Sequence, residues 1–162
     1  KKIFFFIDKS LENFFNIDSI LSVFPNAKFI NTKRNYNDSA IAIYQAMLPD
    51  LPWPHSLMDI LNYMDNYIKI ISFFEKKYPN QVLTIDLEQL TNNQEFYTKK
   101  ILKFCNLSWS PEILKFYKKK DLIVKTLSNT QLRDQISPYN QNKYKVYKKL
   151  LENFINEYDW LK

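Results

Sequence analysis

Two short apolar runs rich in aromatic and β-branched residues, "IFFFID" at 3–8 and "AKFINT" at 27–32, stand one helix length apart, and no other feature constrains this chain as strongly. Between them Leu11, Phe14, Phe15, Ile20 or Leu21, and Phe24 recur at helical spacing, and Pro25 with Asn26 marks the stop. A strand, a crossover and a second strand result. Such crossovers join parallel neighbours and are nearly always right-handed, so the pattern predicts an α/β fold with a short parallel sheet flanked by helices.

The remaining sequence extends that plan. Asn37, Asp38 or Ser39 can cap a helix running to about Met47, and "LPDLPWPH" at 48–55, with three prolines, interrupts it. From Ser56 the residues Leu57, Ile60, Leu61, Met64, Ile68, Ile71 and Phe74 form one apolar stripe, which predicts a long amphipathic helix closed by "YPN" at 78–80. "QVLTIDL" at 81–87 reads as a third strand, and short helices are predicted at about 95–105 and 111–119. Residues 121–142 are polar and least periodic; a last amphipathic helix is expected from about 143 to 159. The C-terminal half is therefore read as helical, and residues 1–162 as a single domain without repeats.

Composition narrows the partners. The 162 residues are 46% hydrophobic and 17% aromatic, enough for a real core. Lys and Arg number 23 against 17 acidic residues, a formal charge of +6 that directs attention to anionic ligands. Much of the excess lies in helical faces such as "KFYKKK" and "KYKVYKK", without a nucleic-acid motif, so nucleic acid is not expected as a partner. One cysteine, Cys105, excludes an internal disulfide framework and fits a reducing, cytoplasmic setting. With a single histidine, His55, lying among prolines, no metal site is expected. No apolar run approaches the length of a membrane span. Glycine is absent from the whole sequence, so no Gly-rich phosphate loop exists within it.

Three stretches carry candidate chemistry. In "INTKRNYNDSAIAIYQ" two cations end a strand just ahead of a helix, where a guanidinium and free backbone N–H groups can share one phosphate. Arg34 is preferred to Lys33, because alternation turns one of them back toward the sheet; the same pair also reads as surface cations fixing a strand end. Ser39 offers either a hydroxyl donor or a helix cap. In "FIDKSLENF" Lys9 follows the first predicted strand on the same sheet edge as Arg34, so both can reach one polyanion. A salt bridge to Asp8 or Glu12 is the alternative. In "KTLSNTQLRDQIS", Thr126, Ser128, Gln131 and Arg133 interleave with apolar residues, as in a segment covering a ligand or in an ordinary surface connection.

Taken in order, "DKSLENF", "FPNAKFINTKRNYNDSAIAIY", "VLTIDLEQLTNNQE", "FCNLSWSPEILKFYK" and "TLSNTQLRDQIS" resemble successive landmarks of the sulfotransferase superfamily. The resemblance covers nearly the whole chain. It is nearest to bacterial members fused to tetratricopeptide repeats and, more distantly, to protein-tyrosine sulfotransferases. It implies a partial P-loop-NTPase-like three-layer fold and, as co-substrate, 3′-phosphoadenosine 5′-phosphosulfate (PAPS), with no metal.

The match further implies that Arg34 binds the 3′-phosphate of PAPS, that Lys9 approaches the transferred sulfuryl group, and that Thr126, Ser128, Gln131 and Arg133 close over the nucleotide or line the acceptor site. The acceptor would be a hydroxyl or amine on a carbohydrate, a small molecule or a protein. Departures are visible: Leu11 replaces a usual Pro, Ala42 stands where a Ser follows the Arg, "LEQL" replaces "YEDL", and Asn142 replaces a Gly. Ser39 is the candidate substitute for the missing hydroxyl at Ala42. The Gly-rich 5′-phosphosulfate loop of the family lies upstream of everything seen here, so the sequence is read as the C-terminal portion of a longer sulfotransferase. The competing expectation is a degenerate, non-catalytic module that binds an anionic ligand or a protein partner.

Overall fold

The computed structural model describes residues 6–118 and 134–162. Its sheet has two parallel strands, β1 (Phe29–Lys33) and β2 (Val82–Asp86), in register from Phe29 opposite Val82 to Lys33 opposite Asp86. The strands are the second and third of those expected from sequence, and the α/β class holds. Of the first expected strand, 3–8, only residues 6–8 are described, and they form no strand. There Phe6 is 73% exposed and meets Phe24 edge to face, 5.9 Å between centroids.

The helix before β1 is split. Residues Asn13–Asn16 wind as a 3-10 turn and Ile17–Val23 as helix α1, burying Phe14, Ile17 and Leu21. After β1 comes α2 (Tyr36–Ala46), capped one turn earlier than expected: Asn35, not a residue of 37–39, is the cap, and its side chain accepts from the Asp38 N–H. Met47, at φ 45°, ends it in the left-handed region.

Helix α3 (Leu57–Lys77) starts where expected, with Ser56 as its cap accepting from the Asp59 N–H, and it organises the molecule. Its first half contributes Ile60, Leu61 and Met64 to a core shared with Ala40 and Ile41 of α2 and with Tyr144, Leu151, Tyr158 and Leu161 of the C-terminal segments. Its second half contributes Ile71 and Phe74 to a separate core with Phe14, Ile17, Leu21 and Val82. One amphipathic helix thus bridges α1 and the sheet at one end and the C-terminal segments at the other.

Between these cores a polar ladder ties α3 to both strands. The Tyr67 hydroxyl donates to Asn31 Oδ1 at 2.7 Å, Asn31 Nδ2 donates to Thr84 Oγ1 at 2.9 Å, and Thr84 in turn donates to the Glu75 carboxylate. Asn31 and Thr84 face each other in register, so the ladder fixes which residues of the two strands are neighbours.

Helix α4 (Leu87–Asn92), unforeseen in the sequence, follows β2 directly, and α5 (Gln94–Phe104) and the 3-10 segment Pro111–Lys118 stand close to their expected places. The last expected helix is a 3-10 segment, Lys145–Phe154, followed by a short one, Asp159–Leu161. The buried positions Tyr144, Leu151 and Tyr158 recur every seven residues, close to two turns of an α-helix and about a third of a turn off in the 3-10 form, so the spacing favours the α winding that this segment does not adopt. Among the described residues no helix is long and apolar enough to cross a membrane.

Candidate functional site

In a parallel sheet both strands deliver their carboxyl ends to the same side, and the turns that follow shape a crevice there. Here β1 ends in Lys33 and turns into α2, while β2 ends in Asp86 and turns into α4. The two turns are stitched together: the Asn35 N–H donates to Glu88 Oε1 at 2.9 Å. Beside them lies a cleft of about 680 Å3, lined by Lys33, Asn35, Tyr36, Asp38, Asp86 and Glu88 on the strand side and by Tyr139, Asn142, Lys145 and Lys148 on the C-terminal side. Its volume falls within the roughly 300–1,000 Å3 of small-molecule sites.

Alternation divides the two cations at the end of β1. Lys33 lines the cleft, its ammonium 5.2 Å from the centre of the Tyr36 ring. Arg34 turns along the start of α2, where Nε donates to Ser39 Oγ and Nη2 to the Asp38 carbonyl, both at 3.3 Å, and its guanidinium lies 5.7 Å from the Tyr144 ring centre. Two of the five guanidinium N–H groups are thus engaged at the helix start. The structure therefore brings Arg34 and Ser39 together. The Ser39 hydroxyl donates to the Asn35 carbonyl at 2.9 Å, so its one proton is used within the helix start, and the cap role that the sequence offered it falls to Asn35 instead.

Ala42 packs against the α2–α3 core, so no hydroxyl comes from that position. Lys9 lies in the exposed irregular segment before the first 3-10 turn, where Asp8 accepts from Asn13 Nδ2 at 2.7 Å. Thr126, Ser128, Gln131 and Arg133 lie outside the described residues. His55 is exposed among its prolines, and Cys105 is half-buried at the end of α5, its thiol pushed up by burial. Among the described residues no group of three or more His, Cys, Asp and Glu is arranged to hold a metal ion.

Two site residues were not singled out from sequence. Tyr139 closes the cleft from the C-terminal side: its N–H donates to Thr91 Oγ1 at 3.0 Å and its hydroxyl to Asp38 Oδ2 at 2.8 Å. Burial first, and then the hydrogen bond to Asp38, push its phenol well above the usual range, so Tyr139 stays a neutral donor. Asp38 is 2% exposed, and its Oδ1 has no partner among the described residues. The sequence offered Asp38 only as one of three candidate helix caps, and nothing local distinguishes Tyr139, since its partner is 101 residues away.

Glu88 yields a pH prediction. Burial is the largest cause that raises its carboxyl above the ordinary 4.5, and the neighbouring Asp86 adds to it, partly offset by the Asn35 N–H. A raised carboxyl binds its proton more tightly in the folded state. The resulting stability is fully present below 4.5 and is lost as pH rises through the folded value. Relative to Glu88→Gln, the wild-type chain should lose stability in urea unfolding as pH rises above 4.5, and a difference that stays flat as pH rises would refute the assignment.

Against this geometry, comparison with known proteins is specific. The sequence matches the profile of the sulfotransferase family over residues 2–111. The chain belongs to the sulfotransferase family. An uncharacterized protein of Aquifex aeolicus (strain VF5) is 34% identical over 153 residues, a match covering 92% of this chain and 20% of the relative. The chain thus spans about a fifth of the length of the curated relative it matches.

Proposed function

We propose that this chain forms the 3′-phosphoadenosine side of a sulfotransferase site that moves a sulfuryl group from PAPS to a hydroxyl or amine acceptor. The observation carrying this reading is the cleft at the carboxyl ends of two parallel strands, flanked by the Arg34–Ser39 pair at the start of α2. Open α/β sheets bind phosphorylated ligands at such crevices, and the backbone N–H groups of a helix start favour an anion. Arg34, with N–H groups still uncommitted, is assigned to the 3′-phosphate, joined by Ser39 once its hydroxyl turns from the Asn35 carbonyl to the ligand. Lys9 is assigned to charge developing on the transferred sulfuryl group, and Thr126, Ser128, Gln131 and Arg133 to closing over the nucleotide or acceptor.

The test is direct. The chain should bind adenosine 3′,5′-bisphosphate in calorimetry; this segment alone is not expected to turn over, and a longer protein that adds the 5′-phosphosulfate loop should, with PAPS and a panel of sugar, phenol and amine acceptors, release that bisphosphate. Failure to bind the bisphosphate would sink the nucleotide reading. Binding without release by any acceptor would favour a second reading, a non-catalytic anion-binding module, which Ala42 motivates because the expected hydroxyl is replaced there by a methyl packed on the core.

A further inference from the structure

Asp38 poses a problem that the phosphate assignment does not solve. Its backbone N–H is bound by Asn35 Oδ1 at 3.1 Å, its carbonyl by Arg34 Nη2 at 3.3 Å and its Oδ2 by the Tyr139 hydroxyl at 2.8 Å, yet Oδ1, in a side chain lining the cleft, has no donor among the described residues. No ion pair among the described residues includes it either, although Lys33, Lys145 and Lys148 line the same cleft. A buried carboxylate oxygen without a donor is costly and calls for one.

The chemistry of that donor is restricted. A phosphate oxygen placed against Asp38 would be repelled, whereas a hydroxyl or amino group would be bound. Arg34 touches both Ser39 Oγ and the Asp38 carbonyl, so an anion on the Arg34–Ser39 pair would lie on the same helical turn as the orphan carboxylate. The cleft therefore suits a ligand that carries a phosphate and, on the adjacent atom, a free hydroxyl. A ribose 3′-phosphate with its 2′-hydroxyl has that arrangement.

We infer that Asp38 is the ribose-selecting residue of the nucleotide site, accepting a hydrogen bond from the 2′-hydroxyl beside a 3′-phosphate held by Arg34 and Ser39. The inference rests on the proposed nucleotide reading and adds a selectivity that this reading does not require. Tyr139 is a positioning residue: by occupying Oδ2 it fixes the carboxylate with the other oxygen uncommitted. Moving the phosphate to the 2′ position would bring an anion against Asp38, so the isomeric nucleotide would be rejected.

Calorimetry on the full chain with three ligands decides the matter. Adenosine 3′,5′-bisphosphate should bind about 10- to 100-fold more tightly than its 2′-deoxy analogue, the worth of one hydrogen bond to a charged acceptor. It should also bind more tightly than adenosine 2′,5′-bisphosphate. In Asp38→Asn the preference for ribose over deoxyribose should shrink to a few-fold, and an undiminished preference would overturn the role given to Asp38. Equal affinity of the wild-type chain for the ribose and deoxyribose ligands overturns the inference and leaves the nucleotide reading standing. No binding of any of the three overturns both. The wild-type comparison decides even if Asp38→Asn fails to fold.

Discussion

Leu61→Ala should lower the free energy of unfolding by about 2–5 kcal/mol, the usual cost of a cavity in a rigid core. Leu61 is fully buried in a core cluster drawn from three parts of the chain: Ala40 and Ile41 of α2, Ile60 and Met64 of its own helix, and the C-terminal Tyr144, Leu151, Tyr158 and Leu161. Elements so far apart in sequence cannot collapse jointly into the space, so the upper half of the range is expected. Ile71→Ala, in the other core, should cost a comparable amount, and the double variant should show the sum, since the two sites are about 15 Å apart along α3 and share no cluster partner. Urea unfolding monitored by tryptophan fluorescence measures all three. A cost below about 1 kcal/mol for Leu61→Ala would mean that the C-terminal segments do not pack on α3 as described.

How far this arrangement was legible in the sequence depended on the range of the interactions that set it. Helix α3 was legible end to end, because its cap, its apolar stripe and its closing "YPN" are all local signals. Both strands were legible as segments, while their pairing with each other was not addressed by any local signal. The expected adjacency of 3–8 and 27–32 falls partly outside the described residues; β1 and β2 are neighbours tied by the ladder from Tyr67 through Asn31 and Thr84 to Glu75, which involves residues of three separate elements. Helix α4 escaped notice because it is six residues long and has no side-chain cap. The 3-10 winding of Lys145–Phe154 was not legible because the seven-residue steps between Tyr144, Leu151 and Tyr158 fit the α-helical period instead. At the site, Arg34 and Ser39 were legible because five residues separate them. Asp38 with Tyr139, and Asn35 with Glu88, were not, because each pair meets only after the chain has folded.

Arg34→Ala should weaken adenosine 3′,5′-bisphosphate binding about 100-fold, the loss expected when a forked guanidinium contact to a phosphate is removed from a partly buried site. The side chain has a second duty that must be separated from the first: it holds Ser39 Oγ and the Asp38 carbonyl and lies over Tyr144, so its removal also loosens the start of α2 and the C-terminal wall of the cleft. Arg34→Lys separates the two effects. A lysine keeps the charge but presents no planar fork, so it cannot bond Ser39 and a phosphate with one rigid group. Binding to Arg34→Lys should therefore fall about tenfold, between wild type and alanine, and thermal unfolding of the two variants should differ far less than their affinities. If Arg34 only fixes the strand end, both variants will lose melting temperature and neither will lose affinity once measured below its own transition. That outcome would move the phosphate to Lys33, Lys145 and Lys148, the cations that line the cleft itself.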